Sequence, residues 1–301
     1  MKIKVRAPVR IDLAGGWTDV SPFTSKYGGE VVNLAINIYA ETTLAVDSYN
    51  ILQTTYTCAA PIGSGLGTTG AINVSLTAAI RAAGLDDNKR DGWPDSSERC
   101  DIAERAFQIE AALGNRGGRQ DQWAAALGGW NHLMFVGDNV ELLPFEPRDS
   151  ALAWLQKHLI LVDSGIKHVS GDLHESIWQR FEAGDADVEA SLLTIRQSAK
   201  LMAQGLQQDR RDYVMQALRD ICAALDKMAP ELHDPFRPVV DPLLTTKTIA
   251  AWKALGAGGG GVAALLCQAG KREKVEAACS AAGWSLIDWQ PDTSGLTITF
   301  D

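Results

Sequence analysis

The residues best placed to do chemistry are the glycines and hydroxyls of PIGSGLGTT, residues 61–69. Pro61, Gly63, Ser64, Gly65, Leu66, Gly67, Thr68 and Thr69 run directly into TGAINVSLTAAIRAA, an apolar stretch whose only charge is Arg81. If that stretch is a helix, its first amides are unpaired and lie at the positive end of its dipole, so they bind a phosphate without any lysine. Glycines at alternate positions let the backbone approach closely and adopt positive φ. The plainer alternative is a tight turn packed under a helix. A second glycine cluster, GAGGGG at residues 256–261, precedes the apolar VAALLC, and a flexible loop is its plainer explanation.

Two carboxylates stand out in the middle of the chain. Glu110 follows Ala106 by four residues and Phe107 by three, in a segment where Ile102, Ala106 and Ile109 fall on one helical face. Its carboxylate therefore leaves the helix from the apolar side and needs a partner, either a cation or a structural salt bridge. Asp121 lies eleven residues on, in GGRQDQ just past a glycine break. Two carboxylates beside a hydroxyl-rich loop suit a hard cation such as Mg²⁺, which prefers oxygen ligands and substrate phosphates. In APVRIDL, the period of two puts Arg10 and Asp12 on one side of a strand and Val9, Ile11 and Leu13 on the other. Facing a cleft, Arg10 binds carboxylate or phosphate; facing water, the pair is an ordinary charged surface.

Several chemistries are excluded. No GxxxxGK[ST] is present, and the glycines of GSGLG have the wrong spacing for a dinucleotide fingerprint, with no acidic residue about 20 positions on. The five histidines form no HxxxH or HExxH pair, and no GxSxG supplies a serine nucleophile. Five scattered cysteines without a CxxC pair point to free thiols rather than disulfides or a zinc ribbon. The first residues lack the apolar core of a signal peptide and no stretch has the roughly 20 apolar residues of a membrane span, so a cytoplasmic location and no membrane partner are expected. With 28 basic against 37 acidic residues the net charge is −9, the wrong sign for nucleic acid.

The elements that must position these groups follow from periodicity. Strands are expected over residues 2–14 and 30–46, helices over 69–83 and 97–113, a surface loop over 85–98 and a strand pair over 128–145. The second half reads as a strand at 159–163, long helices to about residue 228, a proline-rich break at 230–242, then a strand, a helix near 273–282 and two short strands. A chain of 301 residues, 46% hydrophobic and 22% charged, is an ordinary globular protein of about two domains, here divided as 1–150 and 151–301.

Three separated segments, APVRIDLAGGWTDV, PIGSGLGTT and KALGAGGGG, together resemble the three motifs of the GHMP small-molecule kinases in order and separation. That resemblance implies a two-lobed α/β (α+β) fold, with an N-terminal lobe like ribosomal protein S5 domain 2, a ferredoxin-like C-terminal lobe and a cleft between them. It implies ATP and Mg²⁺ as cofactors, with the middle motif around the phosphates, Gly258 and Gly259 as further nucleotide contacts, and Thr69 and Glu110 on the metal. Asp121 takes the place of the family's general base, and Arg10 that of its charge-stabilising partner. GGRQDQWAAALGGWN is similar to D-glycero-D-manno-heptose 7-phosphate kinases, whereas RIDLAGGWTD followed by GGEVVNLAI is similar to fucokinases. Both groups phosphorylate an anomeric hydroxyl. Trp17, Asp19, Asn33, Arg119, Gly165, Lys167, His168 and Ser170 are the implied sugar contacts, and the assembly allows a homodimer. The sequence departs from the family in Thr68-Thr69 replacing a serine pair, in Trp17 at a commonly small position, and in a short first-to-second motif spacing. A non-catalytic homologue would tend to lose the base or the metal ligand, and both are present here.

Overall fold

In the computed structural model, which describes residues 2–47, 49, 51–61, 63–115, 117–166 and 170–301, the chain opens with β1 (Lys2–Ala14). Lys2, Lys4 and Arg6 alternate outward against buried Ile3 and Val5, and from Ala7 onward both faces are buried. A turn leads to a short helix, α1 (Ser21–Tyr27), absent from the sequence expectation, and then to β2 (Gly29–Val46). β2 runs antiparallel to β1 from Lys2↔Ala45 to Ala14↔Val32, with irregularities between Pro8 and Val9 and between Asp12 and Ala14. The first falls where proline has no N–H for the ladder.

The early part of β2 pairs with β4 (Trp130–Val136) and its later part with β3 (Leu52–Cys58). β5 (Asn139–Leu142) extends β4 through the expected hairpin. Helices α2 (Thr68–Ala83) and α4 (Gln120–Leu127) cover this sheet, and α3 (Ser96–Ala112) packs on both of them. α2 presents Ala71, Val74, Ala78 and Ala82, small residues that let it lie close to β1 and β2. α3 starts at a capping box made by Asp95 and Glu98, a strong local start signal.

The second half builds α5 (Asp149–His158), β6 (Leu159–Asp163), α6 (Ser170–Glu182), α7 (Ala186–Gln207) and α8 (Arg211–Met228). Then come α9 (Arg237–Thr245), β7 (Ile249–Ala254), β8 (Val262–Cys267), α10 (Arg272–Ala281), β9 (Ser285–Ile287) and β10 (Thr297–Phe300). The second sheet has the order β7-β8-β6-β9, and β7 and β8 are buried on both faces. One face joins the main core and the other packs Ile160, Val162 and Leu265 with Phe236 and Val240. Division at residue 150 separates the two sheets except for β10, which returns to pair with β1.

Two local expectations give way. Ile109 is 47% exposed instead of sharing the buried face of α3, which is formed by Ile102, Ala103, Ala106 and Glu110. The proline-rich segment is not a plain break, because α9 forms across it with one proline in its first turn and Pro242 inside. The early proline needs no N–H there, and burial of Val240 and Leu243 compensates the bond lost at Pro242. The five cysteines are free. No helix of the described residues is long and apolar enough to cross a membrane.

Candidate functional site

Gly63, Gly65 and Gly67 all take left-handed φ, at 76°, 81° and 78°, and Gly67 is the N-cap of α2. The loop is anchored to β1 beyond the stretch that β10 pairs: Arg10 N–H donates to the Leu66 carbonyl at 3.0 Å, and Arg10 Nη1 to the Gly65 carbonyl at 2.6 Å. Thr68 Oγ1 ties the loop to the Pro61 carbonyl at 3.2 Å. The second glycine cluster is the β7–β8 hairpin loop, and it locks against the first. A Cβ on Gly65 would sit 2.3 Å from the Leu255 carbonyl oxygen, and one on Gly256 would sit 2.7 Å from Gly65 Cα. Val262 N–H closes the contact by donating to the Ser64 carbonyl at 2.9 Å.

A cavity of about 600 Å³, within the range of roughly 300–1,000 Å³ usual for small-molecule sites, opens over this loop. Arg10, Thr69, Glu110 and Asp121 all line it. Arg10 Nη2 pairs with Asp121 Oδ1 at 2.5 Å, and the Arg10 side chain is almost wholly buried. Asp121 stands in the first turn of α4 and packs so closely on α2 that a Cβ at Gly70 would come within 2.7 Å of its own. Glu110 is 6% exposed, and its two oxygens accept from Gln122 Nε2 at 2.8 Å and Asn115 Nδ2 at 3.0 Å. Burial pushes its carboxyl up, against the pull of amides from Asn73, Gln122 and Asn115. Its hydrogen-bond partners are thus neutral amides.

A smaller chamber of about 140 Å³ adjoins the first and shares Arg10, Asp121 and His174 with it. Asp12, Trp17, Asp19 and Gln120 complete its polar wall. Asp19 Oδ2 accepts the Gln120 N–H at 3.1 Å and so caps α4, whose own N-cap residue offers no side chain. A Cβ at Gly118 would lie 1.9 Å from Asp19 Oδ2, so the glycine ahead of α4 makes room for this carboxylate. Burial lifts Asp19 to about 6, with the Gln120 N–H opposing and Asp121 and Asp12 adding to the rise. Trp17, at φ 81°, stacks on His174 with centroids 4.9 Å apart. His174 Nε2 accepts from Trp178 Nε1 at 3.2 Å and burial lowers its pKa, which leaves the proton of the neutral ring on Nδ1.

Of the residues singled out from sequence, Arg10, Gly63, Ser64, Gly65, Gly67, Thr68, Thr69, Glu110 and Asp121 come together around the larger cavity, and Trp17 and Asp19 around the smaller. Others lie elsewhere. Leu66 is core, and Pro61 serves the loop through its carbonyl. Gly258 packs on Leu232, and the Gly259 amide donates to the Leu232 carbonyl, while Gly256 and Ala257 line the cavity instead. Asn33 is buried between Asn131 and the Gln120 carbonyl, supporting the start of α4. Arg119 turns to Asp138 and over the Phe107 ring. Gly165 lines neither cavity, its amide bonded to Asp163. Lys167 and His168 lie outside the described residues, and Ser170 begins α6. Sequence reasoning missed Asn115, Gln122 and His174; only the adjacency of Gln122 to Asp121 hinted at one of them.

The site fits a hard cation in one respect: Glu110 brings a buried carboxylate with neutral partners to the wall that also holds the Thr69 hydroxyl. Among the described residues no group of three or more His, Cys, Asp or Glu could hold a metal unaided, so further oxygens would have to come from a ligand.

Residues 31–129 match the GHMP kinases N terminal domain. A D-glycero-alpha-D-manno-heptose 7-phosphate kinase of Campylobacter jejuni is 25% identical across 68% of this chain and 71% of its own length. An L-fucokinase/L-fucose-1-P guanylyltransferase of Bacteroides fragilis is 56% identical across 14% of this chain, a segment that makes up 4% of that protein. Among solved structures, a D-glycero-D-manno-heptose 1-phosphate kinase from Bacteroides thetaiotaomicron has a TM-score of 0.76 at 22% identity, covering 99% of both chains. A Lactococcus lactis galactokinase complexed with galactose has a TM-score of 0.70 at 14% identity, covering 98% of this chain and 95% of its own. At these identities the structural likeness establishes the two-lobed fold.

Proposed function

We propose, from the match of residues 31–129 to the GHMP kinases N terminal domain and the likeness to a heptose 7-phosphate kinase, that this chain is a GHMP kinase that transfers the γ-phosphoryl group of ATP to the anomeric (C1) hydroxyl of a sugar or sugar phosphate. One observation carries the reading: Asp121, held by Arg10, stands where a cavity over a helix N-terminus meets a smaller polar chamber. The first suits the nucleotide phosphates and the second the acceptor, which brings both substrates to one carboxylate.

Arg10 occupies Asp121 Oδ1, leaving Oδ2 to receive the proton of the attacking hydroxyl. The loop glycines and the first amides of α2 hold the phosphates. Arg10 also fixes the loop through two carbonyls, so base and phosphate cradle move as one unit. Thr69 and Glu110 would hold Mg²⁺, which supplies neutralisation of phosphate charge. The chain's contribution is positioning plus electrostatic stabilisation, which is what phosphoryl transfer chiefly requires.

Likeness to the Campylobacter jejuni protein favours D-glycero-D-manno-heptose 7-phosphate as acceptor. The 56%-identical segment shared with the Bacteroides fragilis protein favours a second acceptor, an unphosphorylated sugar such as L-fucose. The chemistry at C1 is the same for both. ATP as a substrate and five free cysteines fit a cytoplasmic setting.

Asp121→Asn is the direct test, with ATP-Mg²⁺ and a panel of L-fucose, D-galactose, D-arabinose and the heptose phosphate. Turnover is expected to fall about 10²- to 10⁴-fold, while the thermal shift on adding ATP-Mg²⁺ survives. Full turnover in the variant would remove Asp121 from the role of base.

A further inference from the structure

The smaller chamber holds polar atoms that the described residues leave unpaired. Asp12 is 1% exposed; Lys253 Nζ donates to its Oδ2 at 2.5 Å and to its main-chain oxygen at 3.1 Å, yet Oδ1 has no partner. Gln120 uses its main-chain N–H on Asp19, while its side-chain Oε1 is buried without a partner. Trp17 Nε1 is a buried donor in the same condition. All three residues line this chamber and stand beside Asp121. Buried polar atoms are nearly always paired, so three around one small space specify what belongs there. Two acceptors and one donor call for a group rich in hydroxyls.

We propose that Asp12 and Gln120 bind hydroxyls of the acceptor and that the face it presents to this chamber is uncharged. The inference rests on the kinase reading above and deepens it. Asp12 Oδ1 and Gln120 Oε1 each accept a hydroxyl proton, and Trp17 Nε1 donates to a ring or hydroxyl oxygen. A phosphate here would set its lone pairs against two acceptors and the Asp19 carboxylate, and Arg10, the cation in the chamber lining, is already paired with Asp121, so any phosphate the acceptor carries lies outside. Lys253, reaching across from β7, is a positioning residue: its hold on Oδ2 and the main-chain oxygen fixes the Asp12 carboxylate and leaves Oδ1 as its unpaired acceptor. Gly16 is required beside it, because a Cβ there would lie 2.0 Å from Asp12 Oδ2.

The test is steady-state kinetics of Asp12→Asn and Gln120→Met with ATP-Mg²⁺ and the best acceptor among L-fucose, D-galactose, D-arabinose and D-glycero-D-manno-heptose 7-phosphate. The KM for that sugar should rise about tenfold or more for Asp12→Asn and roughly fivefold for Gln120→Met, with the KM for ATP changed less than about twofold. If Asp12→Asn does not fold, Gln120→Met decides alone, since it leaves the Asp12–Lys253 pair intact. An unchanged sugar KM in the folded variants overturns this proposal while leaving the kinase reading standing. No turnover of any panel sugar by the unmodified protein overturns both.

Discussion

Asp19 sits where its charge is costly. It is 5% exposed, and its hydrogen bonds are to main-chain N–H groups, chiefly that of Gln120, which begins the helix carrying Asp121. Burial, with Asp121 and Asp12 nearby, raises its pKa from 3.8 to about 6. The unfolded chain ionises this carboxyl near 3.8, so between about pH 4 and 6 the folded protein binds the extra proton and stability falls as pH rises. Above about 6 both states are ionised and the penalty is complete, at roughly 3 kcal/mol from about 1.4 kcal/mol per unit. Asp19→Asn keeps an oxygen for the Gln120 N–H and carries no charge. Thermal melts should place it above the wild type at pH 7.5, with the gap closing toward pH 4. A gap independent of pH would refute the assignment. At this scale Glu110 was legible, because helical spacing alone placed its carboxylate on the buried face beside Ala106. Asn33 and Arg119 were not, because their orientation depends on Asn131 and Asp138, partners brought in by another strand and a turn.

Between elements, the glycine loop ahead of α2 and the β7–β8 hairpin loop interlock through their backbones. Gly63 and Gly65 separate two reasons for glycine. Both have left-handed φ, but a Cβ at Gly63 meets nothing within 4 Å, whereas one at Gly65 meets the Leu255 carbonyl oxygen at 2.3 Å. Gly63→Ala should therefore cost only the left-handed backbone penalty, about 1–2 kcal/mol. Gly65→Ala adds the displacement of the second loop, a further ~1–3 kcal/mol in urea unfolding, and should weaken the ATP-induced thermal shift more than Gly63→Ala does. Equal costs would mean that the two loops are not interlocked. β1 and β2 were readable as apolar and β-branched runs, and α3 from its period, although its Asp95 cap fell inside the expected loop. The second glycine cluster was visible too, but not its partner: Gly65 against Gly256 is a contact between backbones, and backbones leave no side-chain pattern to read. α9 escaped because burial of Val240 and Leu243 outweighs the usual breaking effect of Pro242.

Across the whole molecule, length gave no hint of how the two sheets are fastened to each other. β10 carries the chain's end back to β1, and Lys253 of the second sheet reaches Asp12 of the first. The net charge of −9 is compatible with the proposed phosphate site because that site would rely on amides and Arg10 rather than on the global field. The Lys253–Asp12 pair is the sharper test of how the units are joined, since its side chains are only 4% and 1% exposed. Removing one partner strands a buried charge, which costs about 3–5 kcal/mol, whereas replacing both removes the desolvation cost along with the attraction. Lys253→Met should thus lower stability by about that amount, and Asp12→Asn alone should do the same by leaving the ammonium uncompensated. The Asp12→Asn/Lys253→Met double variant should recover most of the loss. Urea unfolding of the four proteins gives the coupling energy directly. A double variant as unstable as the sum of the singles would show the two residues to be independent, and the joint between the sheets would then rest on β10 and the apolar core.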